Sequence, residues 1–583
     1  MNRVRQMFKN TRLTLTIILA VGLLVLLIVG CLLWQTQQQS ESFDALIQKM
    51  AFDTLKDDPE KQLYFDLKNM EGIRWDPTKL TDMSDADYEQ LYLKRNGYLK
   101  KLNDYDAAKL SQEDKLTYDI VKWRLSAEQK VYKYWELDTN DYLSLSIFPP
   151  YFANNYPIRN QADAKNYIVA LNGFSDKVAH VIDRIQDRRQ KGIVPASEFL
   201  KEMLTSYNNL RNTKPEETIL YSLYTEKLTE LKLDPSEEEK LKKELAQTLT
   251  DHVLASYGKL ADVIENDLMK QASVSQGIWS QPGGSEYYSA KLKLTTGTDL
   301  SPQEMHEIAK RKVEEIVKEL RSGASGQAQT TSAARFLTGD ELLQALNSSL
   351  LDAKPYLSDW FEEELIPDHP VDVRSYSALI ASAGGMYIPL SLDGDRSGRF
   401  VVPLESPTSE KMVKMLALHE GIPGHHFQFS IQYDQPTIPL IRKITMTHGY
   451  VEGWAVYMES LGAEKGLLDR NTVLIRLANL SIATVIDTGI HGLKWTREQA
   501  NEYLMSVIGT GDDAFIDDVI ANPGRKENYA IGSEQFQSLR EKAQSELGDR
   551  FDIKAFHSVL LRNGNMPFPI LEQQVNQYIK SAK

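Results

Sequence analysis

The chain holds one cysteine, Cys31, among 583 residues. That count excludes an intrachain disulfide and a thiolate metal cluster, so any bound metal would rest on His, Asp and Glu. Basic residues are in deficit: 67 Lys and Arg face 81 Asp and Glu, for a net charge of −14. This sign opposes nucleic-acid binding, which needs clustered cations to neutralise phosphate, and no nucleic-acid partner is expected. Internal repeats are absent. Long apolar runs are absent too, with one exception at the N-terminus. The composition is 42% hydrophobic and 25% charged. That balance excludes wholesale disorder and leaves ample chain for a large core.

Leu13 to Trp34 carries no charge and is long enough to cross a bilayer as a helix. Arg3, Arg5, Lys9 and Arg12 precede it, which keeps the start in the cytoplasm and exports the rest. Two readings stand side by side. Residues 1–34 are an uncleaved signal anchor, or Ile28-Val29-Gly30-Cys31 is a lipobox and the segment is a lipoprotein signal. The apolar Leu32-Leu33-Trp34 favours the first, and the small residue before Cys31 favours the second. Either way, residues 35–42 form a tether. Residues 43–583 are then membrane-anchored and face the extracytoplasmic side, at the cell surface or in the periplasm.

From about residue 43 to 320 the pattern is helical. Ser236-Glu237-Glu238-Glu239 and Ser301-Pro302-Gln303-Glu304 read as capping boxes, and Leu241, Leu245, Leu249 and Val253 follow at four-residue spacing. Arg321 to Thr338 reads as a loop or insertion. Two extended segments, Gly384 to Pro389 and Arg399 to Val402, flank the turn Asp393–Gly398, so a small β hairpin is expected near 384–402. Helices then resume, with breaks near Gly509–Asp513 and Asn522-Pro523-Gly524. The expectation is one large, mainly helical catalytic unit.

Five of the ten histidines fall between His419 and His491. The densest stretch reads Leu418-His419-Glu420-Gly421-Ile422-Pro423-Gly424-His425-His426. It opens like a zinc-peptidase helix, where a second His stands four residues after the first. Here that position is Pro423. On a regular helix His425 would be about 240° around from His419, and His426 about 10.5 Å along the axis. Neither could share a metal with His419. Pro423 and Gly424 break helices, so a distorted turn at 421–424 must bring His425 or His426 back. Histidine supplies neutral nitrogen donors for zinc, and Glu420 is a carboxylate beside a metal-bound water. A third, carboxylate ligand is offered by Glu452, four residues after His448 and among apolar neighbours.

At these residues the chain resembles a large bacterial family long catalogued as a domain of unknown function and marked by His-Glu-x-x-Pro-Gly-His-His. The resemblance spans most of 45–575. It includes Asp393-Gly394-x-Arg396-x-Gly398, His448-x-x-x-Glu452-Gly453-Trp454-Ala455, Asp487-Thr488-Gly489-Ile490-His491 and Tyr529-x-x-Gly532. That family is distantly similar to helical gluzincin peptidases of the thimet-oligopeptidase and angiotensin-converting-enzyme type. The resemblance implies a two-lobed helical fold with a deep central channel, one zinc ion and short peptides as substrates. It implies His419, His425 and Glu452 as ligands, with His426 in reserve for the second, and Glu420 as general base. The segment Gly384 to Tyr387, with Gly385 and Tyr387, resembles the edge strand that takes the substrate backbone. Tyr529 resembles the tyrosine that donates to the oxyanion, with His448 second in that role. Where relatives carry Gln shortly after Pro-Gly, this chain has Arg525.

Two further roles are expected from residue chemistry. Asp487 and His491, four apart, would orient a ligand from behind, and Arg540 would pair with a substrate carboxylate. The expected activity is hydrolysis of oligopeptides, with carboxypeptidase or dipeptidyl carboxypeptidase action among the modes. The alternatives are a metal-dependent amidase on cell-wall peptides and a catalytically silent peptide-binding protein.

Overall fold

Helices make up 73% of the protein and strands 3% in the computed structural model. It describes residues 42–67, 72–73, 75–272, 277–322, 335–375, 385–392 and 396–583. The anchor or lipoprotein segment 1–34, most of the tether, the stretch 323–334, Gly384 and Asp393–Asp395 lie outside the described residues. Met50–Lys583 forms one compact unit. Of the preceding unit, only residues 42–49 are described, the first turns of helix Phe43–Lys56.

Helix starts follow capping chemistry. Ser301 and Glu304 form the reciprocal pair: Glu304 N–H donates to Ser301 Oγ at 3.2 Å, and Ser301 N–H to Glu304 Oε2 at 2.8 Å. The second expected box is corrected. Helix Pro235–Thr248 is capped by Asp234, whose carboxylate accepts from Ser236 N–H. Proline at the first helical position moves the start ahead of Ser236.

Two main cores form. In the first, Leu241, Leu245, Leu249 and Val253 are fully buried among Phe148, Phe152, Tyr167 and Tyr257. The second gathers Trp360, Phe427, Trp454, Tyr457 and Phe536, and Leu116 and Ile120 of helix Gln112–Tyr132 join it. Between these regions in sequence lies a three-stranded sheet. Strand β2 (Val371–Ser375) pairs parallel with β4 (Gly398–Val402), which pairs antiparallel with β3 (Met386–Ile388), Tyr387 standing opposite Phe400. Strand β1 (Phe336–Leu337) pairs separately with β5 (Thr408–Ser409). The hairpin reading missed β2, because a parallel partner leaves no turn signal nearby.

Basic side chains around the hairpin are docking devices. Arg396 donates to Tyr64 O, Pro389 O and Asn155 Oδ1, Arg399 to Asn154 O, and Lys227 to Ala153 O and Tyr156 O. All three cations thereby gather on the C-terminal end of helix Asn140–Asn155. There they meet carbonyls at the negative pole of the helix, while burial and mutual repulsion lower the pKa of Lys227 to about 7.

Five helices frame the site: α1 (Glu410–Leu416), α2 (His425–Asp434), α3 (His448–Glu464), α4 (Arg470–Asp487) and α5 (Glu527–Leu547). Helices α3 and α5 run parallel in close contact. A Cβ on Gly453 would lie 2.3 Å from the Gly532 carbonyl carbon, and one on Gly532 would lie 2.0 Å from Gly449 O. Only glycine permits that approach. Farther along, Tyr450 and Trp454 meet the Phe536 ring, and Arg540 pairs with Glu464.

Candidate metal centre

Helix α1 runs into a wider turn, Ala417–Gly421, that carries His419 and Glu420. The chain then breaks: Ile422–Pro423 is cis, and α2 opens at His425. At Gly424 the chain folds back over the preceding turn. A Cβ there would lie 1.9 Å from His419 O and 2.4 Å from Leu418 O. Trp454 of α3 holds the break by donating to Pro423 O at 2.9 Å. This fold-back, which regular helix geometry forbids, carries His425 to His419.

His419 Nε2 lies 3.6 Å and His425 Nε2 3.5 Å from Glu452 Oε2. Donor atoms of all three residues lie within 4.8 Å of one another, the one such His/Cys/Asp/Glu group among the described residues. Zinc bonds of about 2.0–2.1 Å at tetrahedral angles separate donor atoms by roughly 3.3 Å. The set of two imidazoles and one carboxylate therefore fits a zinc ion and leaves a fourth position open.

Behind the ligands stands a residue the sequence reading missed. Glu459, wholly buried on α3, accepts from His419 Nδ1 at 2.7 Å and from Arg476 Nε at 3.0 Å. A proton on Nδ1 leaves the Nε2 lone pair toward Glu452, the usual device for orienting a ligating histidine. Its signal was present: an acid in an otherwise apolar helix, seven residues after Glu452 and so on the same face. Burial disfavours charge on His419, but the Glu452 and Glu459 carboxylates outweigh it and raise its pKa to about 10, so a metal ion binding at Nε2 would displace a proton. Burial likewise works against the Glu452 carboxylate, yet the two histidines hold it well below the usual range.

Glu420 is buried beside His419 and makes no hydrogen bond to the protein among the described residues. Tyr529, near the start of α5, has its ring centroid 6.5 Å from that of His419. Glu452 foremost, then burial and Glu420, push its phenol up, so it stays a proton donor. His448, the first residue of α3, is open to solvent. The protein packed around its ring, opposed by Glu452 and aided by Arg124, lowers its pKa. Strand β3 is an edge of its sheet and packs beside the 417–421 turn.

Four expectations are corrected. His426 does not serve the metal group. Its Nε2 donates to His369 O at 2.8 Å, so Nδ1 accepts from Tyr387 Oη at 2.9 Å, and no lone pair remains. The Tyr387 side chain, turned inward to make that bond, is buried and does not face a substrate; Gly385 precedes it on the edge segment. Asp487 and His491 do not touch the ligands. Asp487 accepts from Tyr288 Oη at 2.5 Å and Gly524 N–H at 3.1 Å. His491 accepts from Ile278 N–H and donates to Val519 O. Arg540 forms two 2.9 Å bonds to Glu464, about 18 Å along α3 from Glu452 by helical rise.

The chain belongs to the family described as bacterial protein of unknown function, DUF885, whose model matches residues 65–575. Among solved structures, a candidate lipoprotein from Colwellia psychrerythraea is similar at a TM-score of 0.81 and 23% identity, covering 93% of this chain and 99% of that one. A candidate lipoprotein of unknown function from Shewanella oneidensis follows at 0.63 and 15%, covering 91% and 99%. These likenesses define the fold alone. PZ peptidase A matches at a TM-score of only 0.30, which carries no argument. No curated protein matches.

Proposed function

We propose that the protein is a membrane-tethered zinc peptidase that hydrolyses short peptides outside the cytoplasm. The observation that carries the reading is the convergence of His419, His425 and Glu452, with Glu459 behind and the unpaired Glu420 beside them. Zinc at such a site acidifies a bound water toward a pKa of about 7 and polarises a carbonyl. His419 is oriented by Glu459, and that carboxylate is fixed by Arg476. Glu420, with no protein partner competing for it, takes a proton on its carboxylate and returns it to the leaving amine. The Tyr529 hydroxyl donates to the developing oxyanion, with His448 second in that role. Strand β3, an edge of its sheet among the described residues, offers backbone groups to an extended peptide. The tether rests on the apolar segment 13–34 with Cys31 and on the lipoprotein descriptions of both similar structures.

The test is a defined peptide pool mixed with the zinc-loaded full-length chain and read by mass spectrometry. Cleavage that disappears in Glu420→Gln, with zinc still bound, supports the reading. A zinc-loaded chain that leaves every peptide intact rejects it.

A further inference from the structure

Three residues of the loop between residues 521 and 527 are pinned. Asn522 Nδ2 donates to Asp518, Gly524 N–H to Asp487, and Lys526 pairs with Asp518 at 2.9 Å. Arg525 is not among them. It is exposed and makes no hydrogen bond or ion pair among the described residues. Its neighbours on both sides are held and its charge is left free.

The packing of α5 on α3 says where that charge sits. The helices are parallel, and Gly532 lies against Gly449 and Gly453. Moving back from Gly532 to Tyr529 and on to Arg525 therefore leads past the first turn of α3, where His448 opens to solvent. Four residues separate the Arg525 and Tyr529 Cα atoms by at least about 6 Å, the helical rise, and at most about 13 Å, full extension. That span is roughly two to four residues of an extended peptide. Arg525 and Arg476 both act electrostatically on the Tyr529 phenol, against Glu452 and Glu420. Arg476 is neutralised by Glu459. Among the described residues the metal-binding side is thus acidic, and past Tyr529 stands the uncompensated Arg525 guanidinium.

We propose that Arg525 binds the C-terminal carboxylate of the substrate, so that the protein trims peptides from the C-terminus. A guanidinium matches a carboxylate in planar, bidentate geometry, and only the last residue of a peptide offers one on the main chain. The proposal rests on the peptidase reading, and its test separates the two.

Matched peptides ending in a free carboxylate or an amide are given to the zinc-loaded full-length chain and to Arg525→Ala and Arg525→Lys. Their affinity for the Glu420→Gln chain, with and without Arg525→Ala, is measured by calorimetry. The expected result is an acid-over-amide preference in kcat/KM that falls about 10- to 100-fold in Arg525→Ala and partly returns in Arg525→Lys. Equal cleavage of acid and amide, or a preference untouched by Arg525→Ala, overturns the role of Arg525 and leaves the peptidase reading standing. No cleavage, but a carboxylate-dependent affinity lost in Arg525→Ala, upholds Arg525 and rejects the peptidase reading. Neither cleavage nor preference overturns both.

Discussion

Two histidine–carboxylate clusters share the same four-residue spacing and behave in opposite ways. In one, His448 and Glu452 open α3, and Glu452 meets His419 and His425 at 3.6 and 3.5 Å beside a solvent-reached wall. In the other, Asp487 and His491 straddle the end of α4 and are sealed. The sealed cluster spends its polar atoms on the fold. Both nitrogens of His491 are committed to backbone groups, and Asp487 holds Tyr288 and the Gly524 N–H. The open cluster leaves its imidazole Nε2 atoms facing only a carboxylate. Spacing brings an acid and an imidazole onto one helix face. What the ring nitrogens bond decides whether the pair is a site or a strut.

Four measurements would break or sharpen that contrast. The largest effect is expected at His425 against His426. His425→Ala should abolish stoichiometric zinc binding and activity, whereas His426→Ala should keep zinc and lose stability, as read by metal analysis beside thermal melting. Zinc lost from both alike would contradict the assignment. Tyr529→Phe should lower kcat by about 10²–10³ with zinc affinity unchanged; a change confined to KM would remove the oxyanion role. Glu459→Ala should weaken zinc about 10- to 100-fold in chelator competition. Asp487→Asn, in the sealed cluster, should leave that affinity alone.

The smallest effect concerns pH. Burial and then Asp487 raise the pKa of Glu527 well above the ordinary carboxylate value. The folded state therefore binds this proton more tightly than the unfolded chain. The stability it contributes is present below the unfolded pKa and is lost as pH rises toward the folded one. Glu527→Gln removes that loss, so its melting temperature should gain on the wild type by on the order of 1–2 °C between pH 5 and pH 8. A gap that stays flat with pH would mean that Glu527 is not the proton carrier.

Local signals were legible in the sequence where the cause is local. The mainly helical class, the break at 421–424 and the cap at Ser301 all follow from residues a few positions apart. Strand β2, the Glu459–Arg476 pair and the spent nitrogens of His426 were not legible, because each depends on a partner far along the chain. His426 Nε2 is bonded to a carbonyl 57 positions away, and Arg476 reaches Glu459 across 17. Arg540 misled for the same reason: nothing near it in sequence announces Glu464.

By itself, then, the sequence determined that a metal here must rest on histidine and carboxylate, and that a regular helix could not bring them together. Only the tertiary structure decided which histidine is brought. The chain at Gly424 folds against the carbonyls of Leu418 and His419, α3 clasps the break through Trp454, and His425 arrives at Glu452 while His426 is drawn away to Tyr387. The choice between adjacent histidines is a difference in direction, and direction is fixed by packing rather than by order along the chain.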